Sequence, residues 1–205
     1  MAEITAITPQ KKDKMRCNIE VDGRFYCGMK LETVMQNRLK AGMTVTPEAL
    51  SAMQLESEKQ TALDKALTHI SASMKTEREV RDYLKKKGYL EDVCDYVLEK
   101  MRDYGLVDDL QYAQRYAESA GKKKGARLIA VELKRKGVSD ESIEETISQM
   151  EDGTESAKRV LQKYLRGKEI NRDTLRKAYG HLLSKGFDYD TASTALRALG
   201  EEDED

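Results

Sequence analysis

The feature that most constrains this chain is a sequence repeat of 49 residues. Lys-Gly pairs recur at this spacing, at positions 87–88, 136–137 and 185–186, and the same offset aligns Leu84, Leu133 and Leu182. Within each repeat the apolar residues are three or four positions apart, which is the spacing of one face of an α-helix. Matching breaks in these stripes, among them the helix-capping sequence that runs from Thr76 to Glu79, divide each repeat into three helices.

Units of this size stabilise one another by stacking, because each is too small to bury its own apolar face. The sequence therefore predicts a mostly α-helical protein in which three tandem three-helix repeats form an elongated, curved body. The predicted repeats span residues 60–106, 107–150 and 154–200, and an acidic tail follows at 201–205.

Residues 1–58 have a different pattern, because apolar and polar side chains alternate between positions 15 and 31 with the period of a β-strand. We predict a β-hairpin in which Val21 lies opposite Phe25 across a three-residue loop at 22–24. In that register Cys17 faces Met29, which argues against a disulfide between Cys17 and Cys27.

Three further elements are expected in this N-terminal region. Residues 4–8 can add a third strand beside the hairpin. A helix is predicted at 31–40, and a second helix begins at Thr46-Pro47, where threonine is a good cap and proline suits the first turn. The region is thus a small sheet followed by helices.

The cysteine content and the hydropathy indicate a cytoplasmic protein. Three cysteines are an odd number without metal-ligand spacing, and no secretory leader precedes them, so free thiols in a reducing compartment are expected. The mean hydropathy is −0.71 and the chain has no apolar run near the roughly 18–20 residues needed to cross a bilayer. The sequence gives no support for a membrane role.

No residue pattern of an enzyme or a metal site is present. The two histidines, His69 and His181, occupy different phases of the repeat and lie near no suitable partner. The adjacent carboxylates Asp108 and Asp109 could suggest a metal site, but they precede a predicted helix, where aspartate is a preferred cap. We therefore expect no catalytic residues, no metal and no cofactor.

The charge distribution is the main functional signal. The net charge of −1 includes the five acidic tail residues, and positions 122–136 hold seven Lys or Arg residues against the single Glu132. This density favours a polyanionic partner, although a solvated helix surface would read the same way. The candidate binding residues in this segment are Lys122, Lys123, Lys124, Arg127, Lys134 and Arg135.

A second signal is that the repeat also aligns Arg78, Arg127 and Arg176, each near the start of a middle helix. A cation there opposes the helix dipole, so helix stability does not require it. Either a phosphate or carboxylate of a partner or a salt bridge to an adjoining helix would explain it. Arg81 and Lys85 extend this candidate set in the first repeat, whereas Tyr112 and Tyr116 fall on the core stripe and are expected to pack rather than stack on bases.

Several segments resemble the bacterial RecX family. Residues 105–117, with Gly, two aliphatic residues and an acidic pair before aromatic-Ala-x-x-aromatic, are similar to the family signature. Residues 124–138 resemble the basic second half of the family pattern, and 79–88 resemble its first repeat, so the resemblance covers about 140 residues. The N-terminal hairpin is similar to an extension that longer members carry. One position departs, because Ala120 stands where the family has arginine, and a contact made there is expected to fall to Lys122 or Lys123.

The resemblance implies a non-catalytic regulator of the RecA recombinase in DNA repair, recombination and the SOS response. It implies binding to the RecA filament along its groove near DNA, with inhibition of strand exchange, ATP hydrolysis and co-protease activity. We expect a monomer that also binds single- or double-stranded DNA weakly and without sequence preference. The alternatives are a general nucleic-acid-binding helical module, or a helical scaffold that binds only proteins.

Overall fold

Helices make up most of residues 2–202, which are the part of the chain that the computed structural model describes. The strands within this range all lie before residue 46, so the predicted mostly α-helical fold with a small N-terminal sheet is confirmed. The chain divides into two units, Met1–Asp108 and Asp109–Asp205. Of the predicted acidic tail, only the backbone of Glu201 and Glu202 is described, and the elongated shape stays a prediction.

The N-terminal sheet has four antiparallel strands in the order β3-β2-β1-β4. Their bounds are β1 Ala2–Pro9, β2 Arg16–Val21, β3 Arg24–Lys30 and β4 Thr44–Val45. The third strand expected at residues 4–8 is therefore confirmed as β1. The short strand β4, which pairs with the start of β1, was not predicted.

The hairpin register differs from the prediction at its tip. Cys17 does pair with Met29 as predicted, but Val21 pairs with Arg24 and not with Phe25. The turn therefore contains only Asp22 and Gly23, both with positive φ, which is the geometry that an Asp-Gly pair favours in two-residue hairpins. A bulge between Ile19 and Glu20 in the pairing absorbs the extra residue and keeps the apolar face buried.

Two helices follow the hairpin. Helix α1, Leu31–Gln36, is shorter than predicted because the chain turns at Arg38, whose φ is +50°. Helix α2, Pro47–Ser71, begins where predicted, and the Thr46 side chain accepts a hydrogen bond from the Ala49 amide at 3.2 Å. It runs without a break through the domain boundary predicted near residue 59, so this one helix packs against both the sheet and the first repeat.

Polar contacts join the sheet to the first repeat. The Gly28 amide of β3 donates to the Gly88 carbonyl at 2.8 Å, and the buried Gln54 side chain donates to the same carbonyl at 2.8 Å. A Cβ at Gly88 would lie 2.8 Å from the Gly28 nitrogen, and its φ is +87°, so glycine is required. The loop after the first Lys-Gly pair is thus fixed against β3.

The first repeat consists of the second half of α2 with α3, Glu77–Lys86, and α4, Glu91–Asp103. The predicted capping box is confirmed, since Thr76 and Glu79 each bond the other's backbone amide. Its core is formed by buried apolar residues of all three helices, including Ala66, Leu84 and Leu98.

The second unit contains the other two repeats, each with three helices. The second repeat comprises α5 Asp109–Ala120, α6 Ala126–Arg135 and α7 Asp140–Ser148. The third comprises α8 Thr154–Leu165, α9 Arg172–Ser184 and α10 Tyr189–Glu202. The aligned Leu133 and Leu182 are fully buried, as Leu84 is, which agrees with the periodicity.

Candidate polyanion-binding surface

The densest predicted basic segment begins in the loop at residues 121–125, which joins α5 to α6. The loop ends at Gly125, which precedes α6 without a side chain to cap it. The Gly125 amide donates to the Lys185 carbonyl at 2.9 Å and the Arg127 amide donates to the Gly186 carbonyl at 3.2 Å. A Cβ on Gly125 would collide with Gly186, so the third repeat caps α6 only because residue 125 is glycine.

Lys124 does not point to solvent. Its ammonium group lies 2.6 and 2.7 Å from the two carboxylate oxygens of Glu132, which also accepts a hydrogen bond from the Tyr116 hydroxyl at 2.7 Å. Tyr116 and Tyr112 pack against the core of the second repeat, which confirms the packing interpretation of these tyrosines. Lys124 is therefore part of the folded framework.

The pKa values of this cluster reflect the same contacts. Burial raises the pKa of Glu132, but hydrogen bonds from Lys124 and Tyr116 outweigh it and hold the pKa below its ordinary value. The hydrogen bond to Glu132 raises the pKa of Lys124. Both groups are therefore charged at neutral pH, and each neutralises the other.

The other cations of the loop and of the first turn of α6 are exposed. Lys122, Lys123 and Arg127 have no carboxylate partner among the described residues. The Arg127 guanidinium lies over the ring of Tyr189, 5.4 Å from its centroid. These three side chains leave their charge available to an outside group.

The two candidates at the end of α6 differ from each other. Lys134 forms a salt bridge of 2.8 Å with Asp140 at the start of α7. Arg135 is exposed and forms no salt bridge within the described part of the chain, although its charge helps to lower the pKa of Glu132. Of these two residues, only Arg135 therefore resembles Lys122 and Lys123 in having no salt bridge.

The first-repeat candidates are paired with acidic residues. Arg81 forms ion pairs with Glu91 and, at 2.7 Å, with Asp95, while Lys85 contacts Glu91 at 2.6 Å. These contacts connect α3 to α4. Such pairs explain the cations structurally without a partner molecule.

The three aligned arginines do not share one role. Arg78 lies 3.9 Å from Asp82 and Arg176 lies 3.0 Å from Asp173, each on its own helix and not across to an adjoining one. Arg127 has the contact with Tyr189 described above. Exposed pairs of this kind contribute little stability, and they can exchange for another anion at small cost.

Four of the ten candidate residues are thus exposed cations that form no salt bridge in the described part of the chain. All four belong to the second repeat, and we call them the free cations: Lys122, Lys123, Arg127 and Arg135. The fold brings Lys122 beside a cleft of about 750 Å³ between the second and third repeats. Gln114, Arg159 and Asp188 line the same cleft.

Sequence reasoning passed over Tyr189, the residue that contacts Arg127. It is the first residue of α10, and 58% of its surface is exposed. An exposed aromatic residue just after the third Lys-Gly pair is a signal that the repeat alignment could have supplied. The two histidines, in contrast, stack on tyrosines, His69 on Tyr83 at 4.0 Å and His181 on Tyr164 at 4.5 Å, as packing residues do.

The structure also bears on metal and membrane binding. Within residues 2–202 no group of three or more His, Cys, Asp or Glu side chains is placed to hold a metal ion. Asp108 and Asp109 lie at the start of α5. No described helix combines the length and apolar character needed to cross a membrane.

Four family models match successive parts of the chain. The regulatory protein RecX N-terminal domain matches residues 2–46, and the first, second and third three-helix domains of RecX match 62–101, 108–147 and 151–196. These matches cover the sheet and all three repeats.

Whole-length relatives give the same result. The regulatory protein RecX of Clostridium perfringens strain 13 is 31% identical over 97% of both chains, and that of Clostridium botulinum strain Eklund 17B is 33% identical over 96% of both. A crystal structure of regulatory protein RecX matches 94% of this chain and 98% of its own, with a TM-score of 0.62 and 27% identity. RecX from Lactobacillus salivarius matches 71% of this chain with a TM-score of 0.65 and 26% identity. The chain therefore belongs to the RecX family of regulatory proteins.

Proposed function

We propose that this protein binds the RecA filament on single-stranded DNA and inhibits its ATP hydrolysis, recombinase and co-protease activities. The observation that carries the proposal is the concentration of all four free cations in the second repeat of a RecX-family fold. A nucleoprotein filament presents phosphates and protein carboxylates at a regular spacing, and exposed cations on one repeat suit such a polymeric anion.

The contacts of the ten candidates rank them for this role. Lys122, Lys123, Arg127 and Arg135 are exposed and form no salt bridge with a described carboxylate, so they come first. Arg78, Lys134 and Arg176 hold exposed salt bridges that a filament could replace. Arg81, Lys85 and Lys124 contribute least, because they connect helices of their own repeat.

The proposed mechanism is occupancy and not chemistry. Bound protein would hold RecA protomers in a state that hydrolyses ATP slowly, or promote their release. This requires neither a cofactor nor a catalytic residue, in keeping with relatives that are named regulatory proteins. We place this activity in the cytoplasm, with the protein acting as a monomer.

The test is the rate of ATP hydrolysis by RecA on single-stranded DNA with substoichiometric amounts of this protein. We expect the intact protein to slow hydrolysis. The triple variant Lys122→Glu, Lys123→Glu, Arg127→Glu should need at least about tenfold more protein for the same effect, which is about 1.4 kcal/mol of binding free energy.

The matched control is Lys11→Glu, Lys12→Glu, Lys14→Glu. These exposed lysines lie between β1 and β2 and, among the described residues, have no carboxylate partner, so the net charge changes equally. We expect this control to inhibit as the intact protein does. An unchanged hydrolysis rate with intact protein would rule the proposal out, and equal losses in both triple variants would reduce it to a general effect of net charge.

A general nucleic-acid-binding module is the second candidate, because exposed lysines in a glycine-flanked loop contact phosphates without reading bases. Such a module would bind bare DNA with an affinity that falls steeply between about 50 and 200 mM salt, and it would not need RecA. Binding to bare DNA without any effect on the RecA filament would favour it.

A further inference from the structure

The contact between Arg127 and Tyr189 forms a defined surface site in the second unit. The guanidinium covers the tyrosine ring at 5.4 Å, while 58% of the residue remains exposed. A large aromatic ring kept in solvent gains little from burial. The arrangement therefore leaves a planar group available to a ligand.

Main-chain contacts fix the backbone segments that carry the two side chains. The Arg127 amide donates to the Gly186 carbonyl at 3.2 Å, and Tyr189 follows three residues later as α10 begins. The neighbouring Gly125 amide donates to the Lys185 carbonyl at 2.9 Å. Because both backbones are fixed, a ligand would meet a preformed site and would not have to order a loop.

The cation over the ring is available to an anionic ligand. Arg127 has no described carboxylate partner, and exposed Lys122 lines the cleft that Asp188 and Ala126 also line. Asp188 is engaged elsewhere, since it accepts hydrogen bonds from the Thr191 amide at 2.7 Å and hydroxyl at 2.9 Å.

Acidic residues also lie nearby: Asp190 is in the first turn of α10, and Glu118, Glu151 and Asp152 line the cleft together with Lys122 and Arg159. The cleft as a whole is therefore not basic, and the cation that contacts the ring itself is Arg127. An exposed aromatic ring with a cation over it is a feature that binds a base of single-stranded nucleic acid by stacking.

We propose that Tyr189 and Arg127 form a stacking site for one base of single-stranded DNA, and that Lys122 and Lys123 contact the phosphates beside that base. The base would stack on the open part of the Tyr189 ring, and the guanidinium would add a cation–π contact. The site rests on the proposed function in naming the DNA strand of the filament as one of the partners. It also makes bare single-stranded DNA a ligand.

The sequence contains no tryptophan, so a single introduced tryptophan can report binding at one position by its fluorescence. Tyr189→Trp places a single indole at the site, and Tyr104→Trp places one at an exposed tyrosine of the first unit that serves as the control. Each is titrated with an oligo(dT) strand of about 15 nucleotides at about 50 mM salt, with anisotropy of a labelled strand as the measure of binding. We expect the strand to quench emission of Tyr189→Trp in parallel with binding and to leave Tyr104→Trp unchanged.

Affinity measurements test the same site by subtraction. Tyr189→Ala should weaken oligo(dT) binding by about 5- to 100-fold, and Tyr189→Phe should retain most of it, because the stacking face remains. On an abasic strand of the same length Tyr189→Ala should have no effect, whereas Lys122→Ala with Lys123→Ala should weaken binding to both strands. Tyr104→Ala should match the intact protein throughout.

Three results would overturn the site: no binding of oligo(dT) by the intact protein, unquenched emission of Tyr189→Trp on a saturating strand, or equal affinities of Tyr189→Ala and Tyr104→Ala. Failure of this site can be distinguished from failure of the proposed function, because the proposed function is measured by the rate of ATP hydrolysis by RecA. Quenching without inhibition would retain the site and reject the regulator, and inhibition without quenching would do the reverse.

Discussion

Arg16 and Glu58 form an ion pair in which both side chains are almost completely buried, between β2 and α2. Removing two charges from water is costly, and the attraction between them offsets this cost only with good hydrogen bonding. Arg16 Nη2 and Glu58 Oε1 have no hydrogen-bond partner among the described residues, although the guanidinium also lies 5.2 Å from the centre of the Tyr89 ring. The pair therefore fixes how the sheet meets α2 more than it adds net stability.

The prediction at this site compares removal of one partner with replacement of both. Glu58→Ala leaves a buried arginine uncompensated and should lower the free energy of unfolding by about 3–5 kcal/mol in urea titrations followed by circular dichroism. The double variant Arg16→Met, Glu58→Leu should lie within about 1 kcal/mol of the intact protein, because it removes both charges and keeps the volume. A double variant as unstable as the single one would contradict this account.

Adjacent lysines of one loop show what sequence can and cannot predict about single residues. The density of lysine residues identified the segment at 122–124 as basic. Lys123 is exposed, however, whereas Lys124 pairs with Glu132, which lies eight positions further along the chain and beyond the loop. Partner choice across a loop depends on where α6 begins, and no local spacing rule gives that position. For the same reason Arg81 and Lys85 were predicted as a binding face although they pair with α4.

The junction between α6 and the third repeat is the main feature at the scale of elements. Helix α9 carries its own cap, since Asn171 accepts hydrogen bonds from the Asp173 and Thr174 amides, but α6 begins at Gly125 with no side-chain cap. Carbonyls of the following repeat bond its first turn instead. Secondary structure and repeat packing are therefore coupled at residue 125.

Gly125→Ala should separate this coupling from ordinary helix propensity. Its Cβ would meet backbone, which cannot rotate away, so we expect a loss of about 1–3 kcal/mol in the free energy of unfolding. Gly180→Ala, in the exposed middle of α9 with nothing within 4 Å of its Cβ, should instead gain about 0.5–1 kcal/mol. Urea unfolding of the two variants measures both changes in the free energy of unfolding. An unchanged free energy for Gly125→Ala would show that the junction rearranges to accept the methyl group.

Elements were predicted well where a period extends over many residues and poorly where one residue decides. The 49-residue repeat correctly indicated three helices per repeat, because each core position occurs three times in the sequence. The hairpin tip was wrong because the Asp22-Gly23 turn preference outweighed the alternation, and a single bulge restored the pattern. The early end of α1 at Arg38 likewise depends on one left-handed residue.

At the scale of the whole molecule, attraction to a polyanion must be local. The chain has 36 basic and 37 acidic residues, so its net charge provides no long-range attraction to DNA. Six of the ten candidate cations already face carboxylates of their own repeat. Binding therefore depends on how many cations remain free and not on how many the sequence contains.

The number of cations that contact single-stranded DNA can be obtained from the salt dependence of the binding constant. Each phosphate contact contributes about −0.7 to the slope of log K against log salt concentration, so four free cations predict a slope of about −3 and all ten candidates a slope of about −7. We expect the shallower slope, because replacing an internal salt bridge by a phosphate contact yields little net ion release. The variant Lys122→Glu, Lys123→Glu, Arg127→Glu leaves only Arg135 and should flatten the slope to about −0.7, while the triple variant at Lys11, Lys12 and Lys14 should leave it unchanged. A slope near −7 would contradict this count, because it would mean that the strand breaks the internal salt bridges and contacts the paired candidates as well.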